Sequence, residues 1–298
     1  MRKLVLALVL TALAASPMRP ISASGEAVSS KDGLVVCTSA PACDAGAAVL
    51  AKGGNAVDAA VATAFALAVT LPSAGNIGGG GFMVVRRPDG EATTFDYREK
   101  APLKSTRTMF MRDGKVVPAL TSAGHLAPGV PGSVRGLALA HKKFGKLPWK
   151  DVVMPGVLLA EEGFVISAGL ARGLNAQLSG AMGRFPASVA AYGKPGGGTW
   201  SGGDRLVLTD LGKSLRAIAN DGPDAFYKGW IADRIAEDMA ANGGLISKED
   251  LAAYEAKERA PVKGTFRGHD IVGMAPPDRK STRLNSSHTS VSRMPSSA

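Results

Sequence analysis

The chain has 298 residues, of which 45% are hydrophobic, enough to bury a sizeable core, so we expect it to be globular. Its net charge is +10, but three basic residues lie before position 25, and from position 278 onward there are four more against a single acidic one. The remaining 28 basic and 24 acidic residues form no basic stripe interleaved with aromatic side chains. The sequence therefore argues against a nucleic-acid partner.

The first 24 residues have the three regions of a secretory signal. Met1-Arg2-Lys3 is basic, the stretch from Leu4 to Ala15 is almost wholly apolar, and small residues follow at Ser22-Ala23-Ser24. This pattern predicts a signal peptide over residues 1–24, cleaved near Ser24. The apolar run is too short for a stable membrane span. We expect a periplasmic or secreted protein.

The two cysteines, Cys37 and Cys43, are six positions apart. Export would permit a disulfide between them. However, Cys37 falls in a strand pattern and Cys43 at the start of a helix, so two buried thiols fit the sequence equally well.

The predicted elements before the central glycine run are one strand and two helices. A short apolar strand is expected over Gly33–Cys37, then an alanine-rich helix over Ala42–Ala51 that ends at a pair of glycines. The second helix runs from Ala56 to about Leu71. Asn55 is its expected cap and Asp58 takes the acidic position of a capping box.

The central stretch is a glycine run that leads into a hairpin. Gly78 to Gly81 suit a turn whose backbone takes positive φ or approaches another group closely. Two strands follow, Phe82–Arg86 and Thr93–Tyr97, with turn residues between them. Arg98 is therefore predicted at the end of a strand.

The rest of the chain is predicted to be mainly helical. Residues 103–126 are expected to be a surface loop with one helical turn at 106–109. A helix follows over 131–143, and a helical segment over 149–244 is interrupted by a glycine-rich loop at 194–203. A last helix is capped by Ser247 and Asp250, and a hairpin over 262–274 turns at Arg267-Gly268-His269. Residues 278–298 lack periodicity and are predicted to be a disordered, non-native tail, with a natural low-complexity tail as the alternative.

Several of these motifs, in this order, resemble the large-subunit half of the gamma-glutamyltransferases (gamma-glutamyl transpeptidases). The motifs are Gly53-Gly54-Asn55-Ala56-Val57-Asp58-Ala59-Ala60, the stretch from Gly75 to Pro102, Gly129-Val130-Pro131-Gly132-Ser133-Val134, Gly222-Pro223-Asp224-Ala225-Phe226-Tyr227-Lys228-Gly229 and Asn242-Gly243-Gly244-Leu245-Ile246-Ser247-Lys248-Glu249-Asp250-Leu251. The resemblance covers about residues 33–277. It implies an α+β fold, the four-layer αββα sandwich of the N-terminal-nucleophile hydrolases, present here only in part. Residues 25–277 would form this large-subunit fragment.

The resemblance also implies a reaction and a partner. Family members are precursors whose autoproteolysis frees a threonine that attacks the γ-glutamyl carbonyl, with its own α-amine as the base. That threonine lies in a Thr-Thr-His segment, and no such triplet occurs in this sequence. We therefore expect the chain itself to be inactive and to need the small subunit from the same precursor, which would also supply every catalytic residue.

Arg98 is the substrate-binding residue that the resemblance implies. The arginine of the Tyr97-Arg98-Glu99-Lys100 run would bind the α-carboxylate of a γ-glutamyl substrate such as glutathione, and an amino acid or peptide would accept the group. A planar guanidinium suits a planar carboxylate. The alternative is a surface arginine that pairs with Glu99 or Asp96.

Other candidate sites fail on spacing, so no cofactor and no metal are predicted. The dinucleotide fingerprint would need glycine where Met83 stands, and Gly212-Lys213-Ser214 lacks the earlier glycine of a P-loop, since Val207 takes that place. The histidines show no metal-ligand spacing and are expected to be solvated or capping residues. They are His125, His141, His269 and His288.

Two alternatives to a γ-glutamyl enzyme stay open. The cephalosporin acylases resemble this family too, and a glutaryl side chain also offers a terminal carboxylate to an arginine. The second alternative is an exported binding protein without enzymatic activity. Assays with γ-glutamyl anilides and glutaryl amides separate the two enzymes, and the downstream gene sequence tests the binding protein.

Overall fold

The computed structural model describes residues 28–275 of the chain. The chain divides after Leu34 into two units, and every described helix and strand belongs to the second unit. The predicted signal peptide (1–24) and the predicted tail (278–298) lie outside the described residues.

The second unit alternates helices with short strands. The α-helices are α1 (Ala40–Ala51), α2 (Ala56–Thr70), α3 (Ser133–Phe144), α4 (Trp149–Glu161), α5 (Ala168–Ser179), α6 (Pro186–Tyr192), α7 (Thr209–Asp221), α8 (Asp224–Tyr227), α9 (Trp230–Ala241) and α10 (Lys248–Ala252). The strands are β1 (Phe82–Arg86), β2 (Ala92–Asp96), β3 (Met111–Arg112), β4 (Lys115–Val116), β5 (Phe164–Val165), β6 (Arg205–Leu206), β7 (Lys257–Arg259), β8 (Val262–Phe266) and β9 (His269–Gly273).

The strand predicted over Gly33–Cys37 is wrong. Within residues 28–275 this segment pairs with no strand, and Val36 is 82% exposed. A disulfide instead joins Cys37 to Cys43 inside α1, with the two Cα atoms 5.7 Å apart. An apolar run forms a strand only beside a neighbour, and none of the described strands pairs with this segment.

Helix α2 begins and packs as its sequence predicts. Asn55 Oδ1 accepts hydrogen bonds from Val57 N and Asp58 N, while the Asp58 carboxylate accepts one from Asn55 N. The helix is buried on nearly every side because α1 and α4 both pack against it. Gly156 of α4 permits the close approach, since a Cβ there would lie 3.0 Å from the main chain of Phe65.

A three-stranded antiparallel sheet, in the order β1-β2-β7, packs against α3 through its central strand. Met83 and Val85 pack on the helical core together with the buried Phe95, whose ring contacts Phe144 of α3 edge to face. The alternate side chains of β1, Phe82 and Val84, are 42% and 43% exposed. The predicted hairpin is thus confirmed, with one face on the core.

The remaining predicted segments are found in the structure, but some of them contain other elements than the sequence predicts. Residues 106–109 form turns rather than a helix, and the small hairpin β3–β4 and a 3₁₀ helix (Pro118–Thr121) follow them. The predicted helical segment also contains the strand pair β5–β6. The final hairpin turns at Arg267 and Gly268, as predicted, and both residues have positive φ. Among the described residues no helix is long and apolar enough to cross a membrane.

Candidate functional site

The glycine run packs against the residues around Arg98. A Cβ on Gly80 would lie 2.7 Å from Tyr97 O, and a Cβ on Gly81 would lie 2.8 Å from the Tyr97 ring. None of the four glycines from 78 to 81 has positive φ, so close approach rather than backbone conformation explains Gly80 and Gly81. A Cβ on Gly78 would meet no described atom within 4 Å.

Asn76 and α3 hold the glycine run in place. Asn76 Oδ1 accepts hydrogen bonds from Gly79 N (2.7 Å) and from Ser133 Oγ (2.9 Å). Gly79 O accepts from the main-chain N–H groups of Gly132 and Ser133 at the start of α3. The run is therefore connected to the helix layer on one side and to the strand ends on the other.

Arg98 lies two residues beyond the end of β2 and is half-buried. Its main-chain N–H donates to Asp96 Oδ1 (3.1 Å), and its carbonyl accepts from Tyr254 Oη (2.7 Å). Within the described residues, its guanidinium makes neither a hydrogen bond nor an ion pair. A half-buried cation without a partner is suited to an anionic ligand.

The pairing of Arg98 with Asp96 or Glu99, which was the alternative to ligand binding, does not occur. Asp96 Oδ2 instead accepts from Arg259 Nε at 2.8 Å, and the Asp96 side chain is 9% exposed. Glu99 is exposed and lies beside Gly80. Asp96 is thus neutralised by an arginine from β7, 163 residues away in sequence.

Three tyrosines belong to the packed layer behind Arg98, and of these only Tyr254 hydrogen-bonds Arg98 among the described contacts. Tyr227 and Tyr254 are stacked, with centroids 6.0 Å apart, and Tyr227 Oη donates to Pro131 O at 3.0 Å. Burial raises the pKa of Tyr97 to about 12 and also raises the pKa of Tyr254 and Tyr227. All three hydroxyls are consequently protonated donors at neutral pH.

Lys100 adds a second cation beside Tyr254. Its Nζ donates to Glu255 O (3.0 Å) and lies 4.8 Å from the centroid of the Tyr254 ring. Burial lowers the pKa of Lys100, and the nearby Lys257 lowers it further. The sequence reasoning missed Tyr254 and Arg259, because each lies more than 150 residues from its partner and no local pattern marks it.

His141 differs from its prediction as a solvated or capping residue. Its side chain is 12% exposed, and Nε2 lies 2.9 Å from Leu147 O and 3.4 Å from Asp58 Oδ1. It therefore belongs to the packed junction between α2 and α3. Within residues 28–275, no three His, Cys, Asp or Glu side chains come together as a metal site would require.

A surface groove of about 610 Å³ lies between α3 and the segment that follows α10. Arg135, Lys142 and Tyr254 are among the residues that line it, and Arg98 is not. Arg135 is already paired with Asp224, at 2.6 Å. We therefore assign the candidate site to Arg98 and the glycine run rather than to this groove.

Comparison with known proteins gives consistent results. The family described as gamma-glutamyltranspeptidase matches residues 42–285. The glutathione hydrolase proenzyme of Escherichia coli (strain K12) is 46% identical over 273 residues, which are 90% of this chain and 47% of that protein. The acylase ACY 1 proenzyme of Pseudomonas sp. (strain SE83) is 39% identical, over 85% of this chain and 46% of its own length.

Solved structures support the same relationship. The gamma-glutamyltranspeptidase of Helicobacter pylori superposes with a TM-score of 0.82 at 43% identity, covering 87% of this chain and 74% of that one. The predicted fold class, a partial N-terminal-nucleophile hydrolase fold of mixed helices and strands, is confirmed. The chain spans about half the length of the curated relatives that it matches.

Proposed function

This chain belongs to the gamma-glutamyltranspeptidase family, and from that membership we propose that it is the large-subunit part of a precursor whose mature enzyme transfers or hydrolyses γ-glutamyl groups. The substrates would be glutathione and related γ-glutamyl compounds, and the acceptor would be water, an amino acid or a peptide. The attacking threonine would come from the remainder of the precursor. Without that remainder, the chain has no nucleophile for the reaction.

The observation that carries the proposal is the unpaired guanidinium of Arg98. It is half-buried beside the glycine run, while the Asp96 carboxylate is paired with Arg259 and Glu99 is exposed beside Gly80. In the proposed complex it binds the α-carboxylate of the glutamyl group through a charge-assisted pair of hydrogen bonds. Each such bond contributes about 1.5–3 kcal/mol to the binding free energy. Arg98 thereby fixes the donor while the threonine attacks the γ-carbonyl carbon.

Export of the precursor to the periplasm or the medium is part of the same proposal. The Cys37–Cys43 disulfide supports it, because disulfides persist in oxidising compartments. The signal-like sequence at residues 1–24 supports it independently.

A glutaryl or cephalosporin acylase is the second candidate, favoured by the 39% identity to the acylase ACY 1 proenzyme. A glutaryl group presents a terminal carboxylate but lacks the α-amine of glutamate. Both candidates would use Arg98 in the same way, so the arginine alone does not separate them.

The first test is the gene sequence beyond the codon for Pro277. We expect the reading frame to continue into a segment that contains Thr-Thr-His. The protein encoded by the whole gene is called the complete precursor below. A gene that ends without such a threonine contradicts the proposal. Rates with γ-glutamyl anilides and glutaryl amides then decide between the two donors, and we expect the γ-glutamyl anilide to react faster.

A further inference from the structure

We propose that Asp96, Tyr254 and Arg259 are positioning residues that hold the main chain of Arg98 and leave its guanidinium free for the substrate carboxylate. We refer to these three residues as the arginine clamp. The inference rests on the proposed function, since a clamp affects the reaction only if Arg98 binds the donor. It adds three residues that act on the substrate through Arg98.

The first step is that side chains, not a neighbouring strand, hold Arg98. Because it lies beyond the end of β2, the strand ladder no longer satisfies its main-chain groups. Asp96 Oδ1 accepts from its N–H at 3.1 Å, and Tyr254 Oη donates to its carbonyl at 2.7 Å. With both groups held, the direction in which the side chain leaves the backbone is fixed.

Tyr254 is itself held tightly enough to act as an anchor. The residue is 3% exposed, its ring stacks on that of Tyr227, and Nζ of Lys100 lies 4.8 Å from its ring centroid. Gly132 leaves room for its hydroxyl, since a Cβ at that position would be 2.1 Å from Tyr254 Oη. Burial raises the pKa of this hydroxyl, so it stays a donor at neutral pH.

Arg259 has a different role. It pairs with the Asp96 carboxylate, which would otherwise compete with the substrate for the guanidinium of Arg98. Its Nε donates to Asp96 Oδ2 at 2.8 Å, while Asp96 Oδ1 serves the main chain of Arg98. Pairing of β7 with β2 fixes Arg259, and Thr94 Oγ1 donates to its carbonyl at 2.9 Å. Each oxygen of Asp96 therefore has a donor, and none of the described contacts joins this carboxylate to the guanidinium of Arg98.

The test is a double-mutant cycle in the complete precursor, with initial rates on a γ-glutamyl anilide. Tyr254→Phe keeps the ring and removes the hydrogen bond, so we expect KM to rise about threefold to tenfold with kcat nearly unchanged. In an Arg98→Ala background the same substitution should leave kcat/KM unchanged, because there is no guanidinium left to position. Arg259→Gln should raise KM with the same dependence on Arg98.

Tyr227→Phe is the matched control, because its hydroxyl bonds Pro131 in the same stacked pair and does not touch Arg98. We expect its KM to stay within twofold of the unmodified enzyme. An unchanged KM in Tyr254→Phe, or an equal loss of kcat/KM with and without Arg98, would overturn the clamp. If Arg98→Ala itself leaves KM unchanged, the proposed role of Arg98 fails instead, so the two failures are distinguishable.

Discussion

The guanidinium of Arg98 offers five donors in a fixed plane and makes no hydrogen bond within the described part of the chain. A lysine at this position would keep the positive charge. It would lose the paired geometry with which a guanidinium meets a carboxylate, because an ammonium group acts as a point charge. Comparing arginine with lysine at this position therefore separates the effect of the positive charge from the effect of the hydrogen-bond geometry.

We predict that Arg98→Lys in the complete precursor raises KM for a γ-glutamyl anilide by about tenfold to a hundredfold. The reason is the loss of one of two charge-assisted hydrogen bonds to the α-carboxylate. Steady-state rates over a wide range of donor concentration measure the change. A donor that lacks the α-carboxylate provides the control, since its KM should not respond to the substitution. An unchanged KM for the normal donor would remove the assignment of Arg98.

Asp58 is a buried carboxylate that stabilises the fold. It is 0% exposed and accepts hydrogen bonds from the main-chain N–H groups of Asn55, Lys146 and Leu147. It thus joins the start of α2 to the turn between α3 and α4. The sequence identified its role as a cap, whereas the contacts across 88 residues depend on the tertiary fold.

We predict that Asp58→Asn lowers the free energy of unfolding by about 2–4 kcal/mol, because one acceptor oxygen becomes an NH₂ that faces N–H donors. Denaturant unfolding of the precursor measures the loss. The control is Asp210→Asn, since the Asp210 side chain is 95% exposed and pairs with Lys213 at the surface. That change should stay within about 0.5 kcal/mol. Equal losses of unfolding free energy at the two positions would contradict the stabilising role of the buried Asp58 carboxylate.

At the scale of elements, the packing of α3 against the strand ends depends on its glycines. A Cβ on Gly136 would lie 2.0 Å from the ring of Tyr97, the residue next to Arg98. A Cβ on Gly132 would lie 2.1 Å from both Tyr97 O and Tyr254 Oη. Small residues thus set the distance between the helix and the candidate site.

We predict that Gly136→Ala destabilises the protein by about 1–3 kcal/mol and also raises KM, because the displaced Tyr97 ring moves the adjacent Arg98. Gly173→Ala is the control, as Gly173 also lies inside a helix, α5, and a Cβ there would meet nothing within 4 Å. That substitution should stabilise the protein by about 0.5–1 kcal/mol. Thermal unfolding and donor kinetics on both variants test the difference, and a stable Gly136→Ala enzyme with normal KM would refute it.

Local chemistry explains which elements the sequence could predict. The capping box of α2 and the β1–β2 hairpin are specified by residues a few positions apart, and both are found in the structure. The strand expected at Gly33–Cys37 was wrong because strand formation depends on a partner that local pattern does not reveal. Arg98 could be located in advance, but the arginine clamp could not, since its contacts join residues up to 163 positions apart.

At the scale of the whole molecule, the described chain exposes apolar side chains on strands. β1 ends the order of the three-stranded sheet, and Phe82 and Val84 on it are 42% and 43% exposed. The separate hairpin β8–β9 exposes Val262, Phe266 and Ile271 by half or more. Exposed strand edges with apolar side chains promote aggregation. If the rest of the precursor covers these surfaces, the fragment alone should be insoluble.

We predict that residues 25–277 expressed alone are largely insoluble, and that co-expression with the remainder of the precursor raises the soluble fraction severalfold. Phe82→Ser combined with Val84→Thr should also raise it, because these changes remove exposed apolar surface from the edge strand. Val165→Thr is the control, since Val165 is 56% exposed but lies on a strand of only two residues, which is too short an edge to pair with another chain. Sedimentation of lysates and size-exclusion chromatography measure the outcome. A monodisperse, cooperatively melting monomer of residues 25–277 would show that these surfaces do not have to be covered by the rest of the precursor.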